Sequence, residues 1–459
     1  MKLGFMFLVM TLMCLSLAQA EEEKTPAPTA EPKAADPFAF ADFGWLNGNS
    51  RQTTFPLDTK VFTGQFSLDT NYIYDFNHPS DHTLIGSTNA GRTQEFQVEQ
   101  LGVGGDFHYE NIRGRFMTQF GMYSTMTPRN DATPSRGQWD MSDAYRYISE
   151  AYGGYHWDVW NGINLDVGIF MSYIGLCSYY NYENWVYQMS YVSANTPWFF
   201  NGVRLQTFPS DKLKVEYWFI NGWQSYGMAN QSPGLGFEIL WRPTGDLSFV
   251  SNNYYGDDTL NTPGRSRYHT DDSVQVKYYD KPANTISKAA FSFTADAGCE
   301  NGGGVSCMGG SASSPSQYFL GFMAYNRVWL NKDKFAVTVG GGAISNPGRY
   351  LVLLPPIDGA TASSGSYYFP ETPGTQFHAW DSSVTFDYMP SQFITFRLEF
   401  NHRESDVPYF AGSGGITPPG GNVGDPGGAG GTVAPVSGNW QPDLTNGESR
   451  INAAMMVRL

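Results

Sequence analysis

The sequence predicts an all-β fold, a transmembrane antiparallel up-and-down β-barrel of about sixteen strands with short turns at one end and long loops at the other. Three observations carry this. Segments of roughly ten residues alternate apolar and polar side chains, which is the period of a strand with two different faces. Leu213, Val215, Tyr217 and Phe219, for example, alternate with Lys214 and Glu216. Short and long connections between such segments follow one another in strict turn, a rule that outer-membrane barrels obey and that a soluble sandwich has no reason to keep. Finally, the chain stops inside an alternating segment, SRINAAMMVRL, which makes sense if that strand closes on the first and leaves no open edge in lipid.

In chain order, Met1-Lys2 is followed by an apolar run from Leu3 to about Leu17 and by Ala18-Gln19-Ala20, which reads as a secretory signal over residues 1–20. Cys14 follows Met13 rather than a small residue, which disfavours a lipid-accepting cysteine. Residues 21–56 read as an acidic, Pro/Ala-rich periplasmic linker and lead-in. Its second part, Phe38 to Pro56, either leads into the barrel or tucks inside it. The barrel itself is expected over residues 57–459. Its first strand, Val61 to Tyr74, puts Phe62, Phe66, Leu68, Tyr72 and Tyr74 on one face and Thr63, Gln65, Ser67, Asp69 and Asn71 on the other. Further strands are expected to begin near Gln94, Asn111, Tyr145, Gly162, Asn201, Lys212, Gly234, Asp246, Asp272, Ile286, Gln317, Asp333, Gln376, Gln392 and Glu448. The third long loop, Ile174 to Phe200, is rich in Tyr and Trp; it folds inward to narrow the lumen or lies outside as a lid. Ala411 to Asn439 is Gly-rich and of low complexity, which reads as a disordered external loop. Trp157, Trp160, Phe208, Trp241, Trp329 and Tyr388 at the short-turn ends, and Trp223, Tyr254, Tyr255 and Trp380 at the long-loop ends, read as two interfacial belts.

Composition agrees. Aromatic residues make up 16% and charged residues 15% of the chain, against about 25% charged in an average soluble domain. The net charge of -15 argues against nucleic acid as a partner. Cys299 and Cys307, close together in CENGGGVSC, are candidates for a disulfide in an oxidising compartment, and Cys177 is the odd one out. No haem, thiol-redox or zinc-protease motif occurs, no nucleophile context surrounds any Ser, and no cofactor or catalytic activity is expected. Asp257-Asp258 and Asp271-Asp272 read as solvated external acids rather than as a metal site.

The stretches YISEAYGGYHWDVWNGINLDVGIFMSYIGL, SANTPWFFNGVRLQTFPSDKLKVEYWFINGWQSYG, PGRSRYHTDDSVQVKYYDKP and SKAAFSFTADAGCENGGGVSC resemble the OmpL-like beta-barrel porins, the second beta-barrel porin family of bacteria. The resemblance implies an outer-membrane barrel and porin and brings no ligand residues; the even strand number leaves both termini on the periplasmic side. The barrel reading supplies its own candidates for the pore wall: Arg113, Arg115, Arg204, Lys214, Lys277, Arg327, Arg397 and Arg450, with Glu99, Glu216, Glu238 and Glu399 as acids. Bases slightly outnumber acids there, so the wall favours anions although the loops are acidic. The alternative for each residue is a cross-strand pair that only ties the wall together. Passive diffusion of small hydrophilic solutes or ions, a narrower solute-specific channel, and a non-conducting anchor or adhesin are the competing functions. Expected partners are outer-membrane lipid and lipopolysaccharide, with the barrel-assembly machinery during insertion; a homo-oligomer is one of the open arrangements.

Overall fold

Period-two patterning becomes a wall when every strand finds a neighbour on both sides. In the computed structural model sixteen strands do so: β1 (Phe62–Asp75), β2 (Phe96–Tyr109), β3 (Ile112–Thr118), β4 (Ile148–Trp157), β5 (Ile163–Met171), β6 (Phe199–Ser210), β7 (Leu213–Ile220), β8 (Gly234–Thr244), β9 (Leu247–Gly256), β10 (Ser266–Asp280), β11 (Ile286–Asn301), β12 (Tyr318–Leu330), β13 (Phe335–Ser345), β14 (His378–Ser391), β15 (Ile394–Ser405) and β18 (Gly447–Arg458). All pairings are antiparallel between sequence neighbours, and β1 pairs with β18 to close the ring. Leu459 completes the seam, donating to the Phe66 carbonyl at 2.8 Å. A two-residue pair, β16 (Phe410–Ala411) with β17 (Leu444–Thr445), stands apart in the last long loop. The structure describes residues 35–459 except 88, 132, 134–136, 260–261, 312, 315, 347–349, 351–376 and 417–442. The expected signal, most of the acidic linker and most of the Gly-rich loop lie outside the described residues.

Burial is inverted relative to a soluble sheet. Along β14, Trp380, Val384 and Phe386 are exposed while Asp381, Ser383, Thr385 and Asp387 are buried. The same phase repeats around the barrel, with Phe96, Val167, Val339, Leu398 and Phe400 among the exposed apolar residues. An apolar band of this extent is far larger than the patches soluble proteins expose, and only lipid hydrocarbon satisfies it. No described helix is long and apolar enough to cross a membrane; the strands do the crossing.

Two differences from the sequence reading have simple causes. β10 begins at Ser266, six residues before the expected Asp272, because the polar run RYHTDD is strand and not loop. Arg267, His269 and Asp271 face inward and are buried, so Asp271-Asp272 is not a solvated loop pair. The belts also lose members: Tyr254 and Trp329 fall on the inward phase, Trp223 lies in the β7–β8 loop, and all three are buried, whereas Trp160, Trp241, Tyr255 and Trp380 are exposed.

Candidate functional site

The lumen is occupied from both ends. From the short-turn end, residues 36–54 cross the mouth as a strap. Phe38 N donates to the Asp211 carbonyl in the β6–β7 turn at 2.7 Å, and Trp45 Nε1 donates to the Gly245 carbonyl in the β8–β9 turn at 3.0 Å. Farther along, Arg51 donates to the Ser391 and Ile394 carbonyls at the β14–β15 turn, both at 2.9 Å, half the circuit of the barrel away. Between these anchors Phe43, Trp45 and Leu46 turn inward and are buried.

From the long-loop end, loop 3 (residues 172–198) runs down through the lumen to meet the strap. Its tip, the short turn Asn181–Glu183, reaches the last strand, where the Glu183 carboxylate pairs with Arg458 at 2.6 Å. The two inclusions interlock at Asn47, which accepts from Trp185 N at 2.9 Å and donates toward Cys177 Sγ at 4.0 Å, while Gly48 N donates to the Glu183 carbonyl at 3.2 Å. Gly48 has φ +75°, and a Cβ there would collide with the Leu176 carbonyl. Close backbone approach at positive φ is what selects glycine. Trp185, Val186, Tyr187, Met189, Tyr191 and Val192 are all at most 3% exposed, so loop 3 forms the core of the molecule rather than a lid over it. Burial pushes the Cys177 thiol up to about 12.

What seats loop 3 is the polar inner wall of the barrel. Its N–H and O–H groups go to carboxylates. Asn181 Nδ2 and Tyr187 Oη donate to Asp69 at 2.8 and 3.1 Å, and Tyr180 Oη donates to Glu150 at 2.7 Å. The backbone N–H groups of Tyr187 and Gln188 donate to the two oxygens of Glu399 at 2.6 and 2.7 Å. Ser190 Oγ and Tyr191 N share one Asp381 oxygen, at 2.7 and 3.0 Å. The loop's acceptors go to arginines: Arg327 to the Trp185 carbonyl (3.2 Å), Arg397 to the Asn184 carbonyl (2.7 Å) and Arg450 to the Gln188 side chain (2.6 Å). A loop drawn into a low-dielectric interior needs such partners for its backbone.

The wall candidates read from the sequence all face the lumen, and most are ion-paired there. Asp387 holds Arg397 at 2.7 Å and Arg327 at 2.8 Å. Asp166 holds Arg113 at 3.1 Å and Arg204 at 2.8 Å. Lys214 lies 2.7 Å from both Glu216 and Glu238. Arg115 pairs with Glu150 and Asp106, each at 2.7 Å, and Arg450 with Glu448 at 3.0 Å. Lys277 sits apart near the short-turn rim with Asp246 and Asp280. Glu99 accepts from Asn71 at 2.9 Å, next to a register shift in the β1–β2 pairing, and both Glu99 and Gln100 are buried.

These charges divide by access. The side chains of Arg113, Arg204 and Lys214 on β3, β6 and β7 are 30%, 14% and 17% exposed, against 5%, 2% and 0% for Arg327, Arg397 and Arg450 under loop 3. Arg204 is capped by aromatic faces, its guanidinium lying 4.7 Å from the Phe170 ring and 5.4 Å from the Trp218 ring. Asp69, Asp166, Asp381 and Asp387, which organise both halves, went unremarked as wall acids in the sequence, although WDSSVTFDY alternates in the phase that puts both of its aspartates inside. At the tip of β11, Cys299 and Cys307 are joined, with S–S 2.07 Å.

Solved structures similar to the chain are outer-membrane proteins. An anion-selective porin from Comamonas acidovorans is 8% identical, with 87% of this chain and 99% of that one covered at TM-score 0.46. The outer membrane channel DcaP of Acinetobacter baumannii is 12% identical, with 90% and 100% covered at 0.46. OprB of Pseudomonas putida, in its high-pH structure, is 9% identical, with 87% and 94% covered at 0.47. No curated protein matches the chain. The sequence profile of the family described as "Putative beta-barrel porin-2, OmpL-like" matches residues 61–422, from β1 into the last long loop. With that match, a closed sixteen-strand ring and an apolar outer band, the chain belongs to the OmpL-like beta-barrel porin family and is a porin of the bacterial outer membrane.

Proposed function

We propose that the barrel passes small hydrophilic solutes or ions down their gradients, by a narrow route that loop 3 controls. The observation that carries this reading is the seating of loop 3 along the lumen, down to the Glu183–Arg458 pair at the opposite end. Barrels of this strand number leave an aqueous channel when nothing fills them. Here Arg113, Arg204 and Lys214, on β3, β6 and β7, are more exposed than the arginines under loop 3, which supports a crevice on that side. We place the short turns and both termini in the periplasm, the long loops outside, and the apolar band against outer-membrane lipid.

Conductance of the refolded protein in a planar bilayer tests the reading. Small unitary currents from the wild type, and larger, steadier ones once residues 178–192 are replaced by a short Gly-Ser linker, are the expected result. A filled lumen equally favours a non-conducting anchor, and absence of current in both proteins would establish that reading instead.

A further inference from the structure

The outer face of the barrel breaks its apolar rule at one place. Tyr268 and Tyr278 stand ten residues apart on the outward phase of β10. On a strand tilted by about 40° that spacing spans about 25 Å of membrane, so the two rings mark the edges of the apolar band. Between them Thr270 and Asp272 also face outward, and the adjoining outward positions of β9 are Ser251 and Asn253. Among the described strands, Asp272 is the one Asp, Glu, Lys or Arg that points outward between the aromatic levels. Glu404, also outward, is level with Trp380 at the upper edge.

The patch is poorly satisfied by its own chain. Thr270 Oγ1 donates to Asp272 at 3.1 Å and Asn253 Nδ2 donates to Ser251 Oγ at 3.3 Å. Among the described residues no base lies within ion-pair distance of Asp272. Hydrocarbon supplies neither donors nor acceptors, and a carboxylate facing it is destabilising. A protein surface bearing donors removes that penalty, and a carboxylate makes the stronger hydrogen bonds.

Geometry selects which protein surface. The register row through Asp272 descends by Ser251, Ile239 and Val215 to Thr207, close to the β6–β7 turn. In the other direction it climbs by Ala295, Phe322 and Ala343 to Trp380 at the long-loop edge. Ser251 is therefore deeper than Asp272, and Asn253, two residues back up β9, returns to about the depth of Asp272. A twofold axis along the membrane normal preserves depth and exchanges left with right. Placed midway, it sets the Asn253 amide of each copy against the Asp272 carboxylate of the other. Ser251 and Thr270 then fall near the axis, where hydroxyls can both donate to and accept from their counterparts. Ala295 and Ala297 keep the neighbouring wall low, and a hollow of about 460 Å³ opens between Phe237, Tyr255, Tyr268 and Leu320. Two walls can approach closely there.

We propose that the β9–β10 face is the contact between two copies of this chain, related by a twofold axis along the membrane normal, with reciprocal Asn253–Asp272 hydrogen bonds at its centre. The proposal is independent of whether the lumen conducts.

Disulfide trapping tests it. Full-length Asn253→Cys and Asp272→Cys chains are refolded into liposomes, separately and as a mixture, then oxidised and run on a non-reducing gel. The mixture should give several-fold more covalent dimer than either chain alone. Ser251→Cys should dimerise by itself, and Leu398→Cys, exposed on β15, should not. Light scattering in detergent should give the mass of two copies for the wild type and of one copy for Asn253→Leu/Asp272→Leu. Those two changes extend the apolar band, so the barrel is expected to refold; if it does not, the cysteine pairs decide. A one-copy wild type means that lipid alone covers the patch, and it overturns the proposal. Trapping at Leu398→Cys equal to that of the mixture, or a three-copy mass, overturns it as well.

Discussion

Asp387 shows how much of this molecule depends on single buried charges. It is fully buried and holds two arginines, which in turn hold the backbone of loop 3. Asp387→Asn would leave two guanidiniums without their carboxylate, a change that costs about 3–5 kcal/mol when one partner of a buried pair is removed. The expected outcome is a lower denaturant midpoint for the refolded barrel, with loop 3 becoming accessible to protease. Cys177 offers a more direct probe of the same loop. It is buried and its thiol is pushed up to about 12, so a maleimide should fail to label it in the folded wild type. Labelling that appears only after the strap or loop 3 is disturbed would mark the moment the lumen opens. At this scale the sequence was legible in phase and illegible in partnership. Arg327 and Arg397 could be assigned to the inner face from their alternation, but nothing local says that both meet Asp387, which lies on a third strand. The disulfide candidates were legible because they lie eight residues apart.

Among the elements, the strands were read far better than what lies between them. Fifteen of the sixteen begin within three residues of the expected position, because alternation is a local signal. β10 was missed at its start because alternation of polar with polar carries no contrast: His269 and Asp271 face in, Tyr268 and Asp272 face out. Loop 3 left both the inward and the outward reading open, since a Tyr/Trp-rich segment suits either a lid or a core. What decides it is the set of wall carboxylates and arginines on distant strands that receive its backbone. The strap was equally undecided, and Asn47 and Gly48 are the residues that fix it. Gly48→Ala should prevent the strap from lying against loop 3, because the new Cβ meets the Leu176 carbonyl. We expect that variant to label at Cys177 and to show larger or more frequent openings in the bilayer than the wild type. Wild-type behaviour on both counts would mean that the strap is not part of the closure.

For the whole molecule, the ring and its inverted burial follow from the same rule, polar inside and apolar outside, applied sixteen times. The orientation we propose predicts that a tag inserted in the β6–β7 or β8–β9 turn stays unlabelled in intact cells, whereas one in the β9–β10 loop is labelled; the reverse pattern would invert the topology. The path of the strap has a temporal consequence. Residues 36–54 precede every strand of the barrel, yet Arg51 and Thr53 bind the β14–β15 turn, whose Gln392 accepts from Thr53 N at 2.6 Å. That receptor is among the last parts of the chain to be synthesised, and it takes its place only when the final strands join. A sheet that stops at β9 therefore holds the strap only by its first part, at Asp211 and Gly245, and residues 51–54 find their anchor only once β14 and β15 are in place. The bolt thus doubles as a certificate that the cylinder is whole.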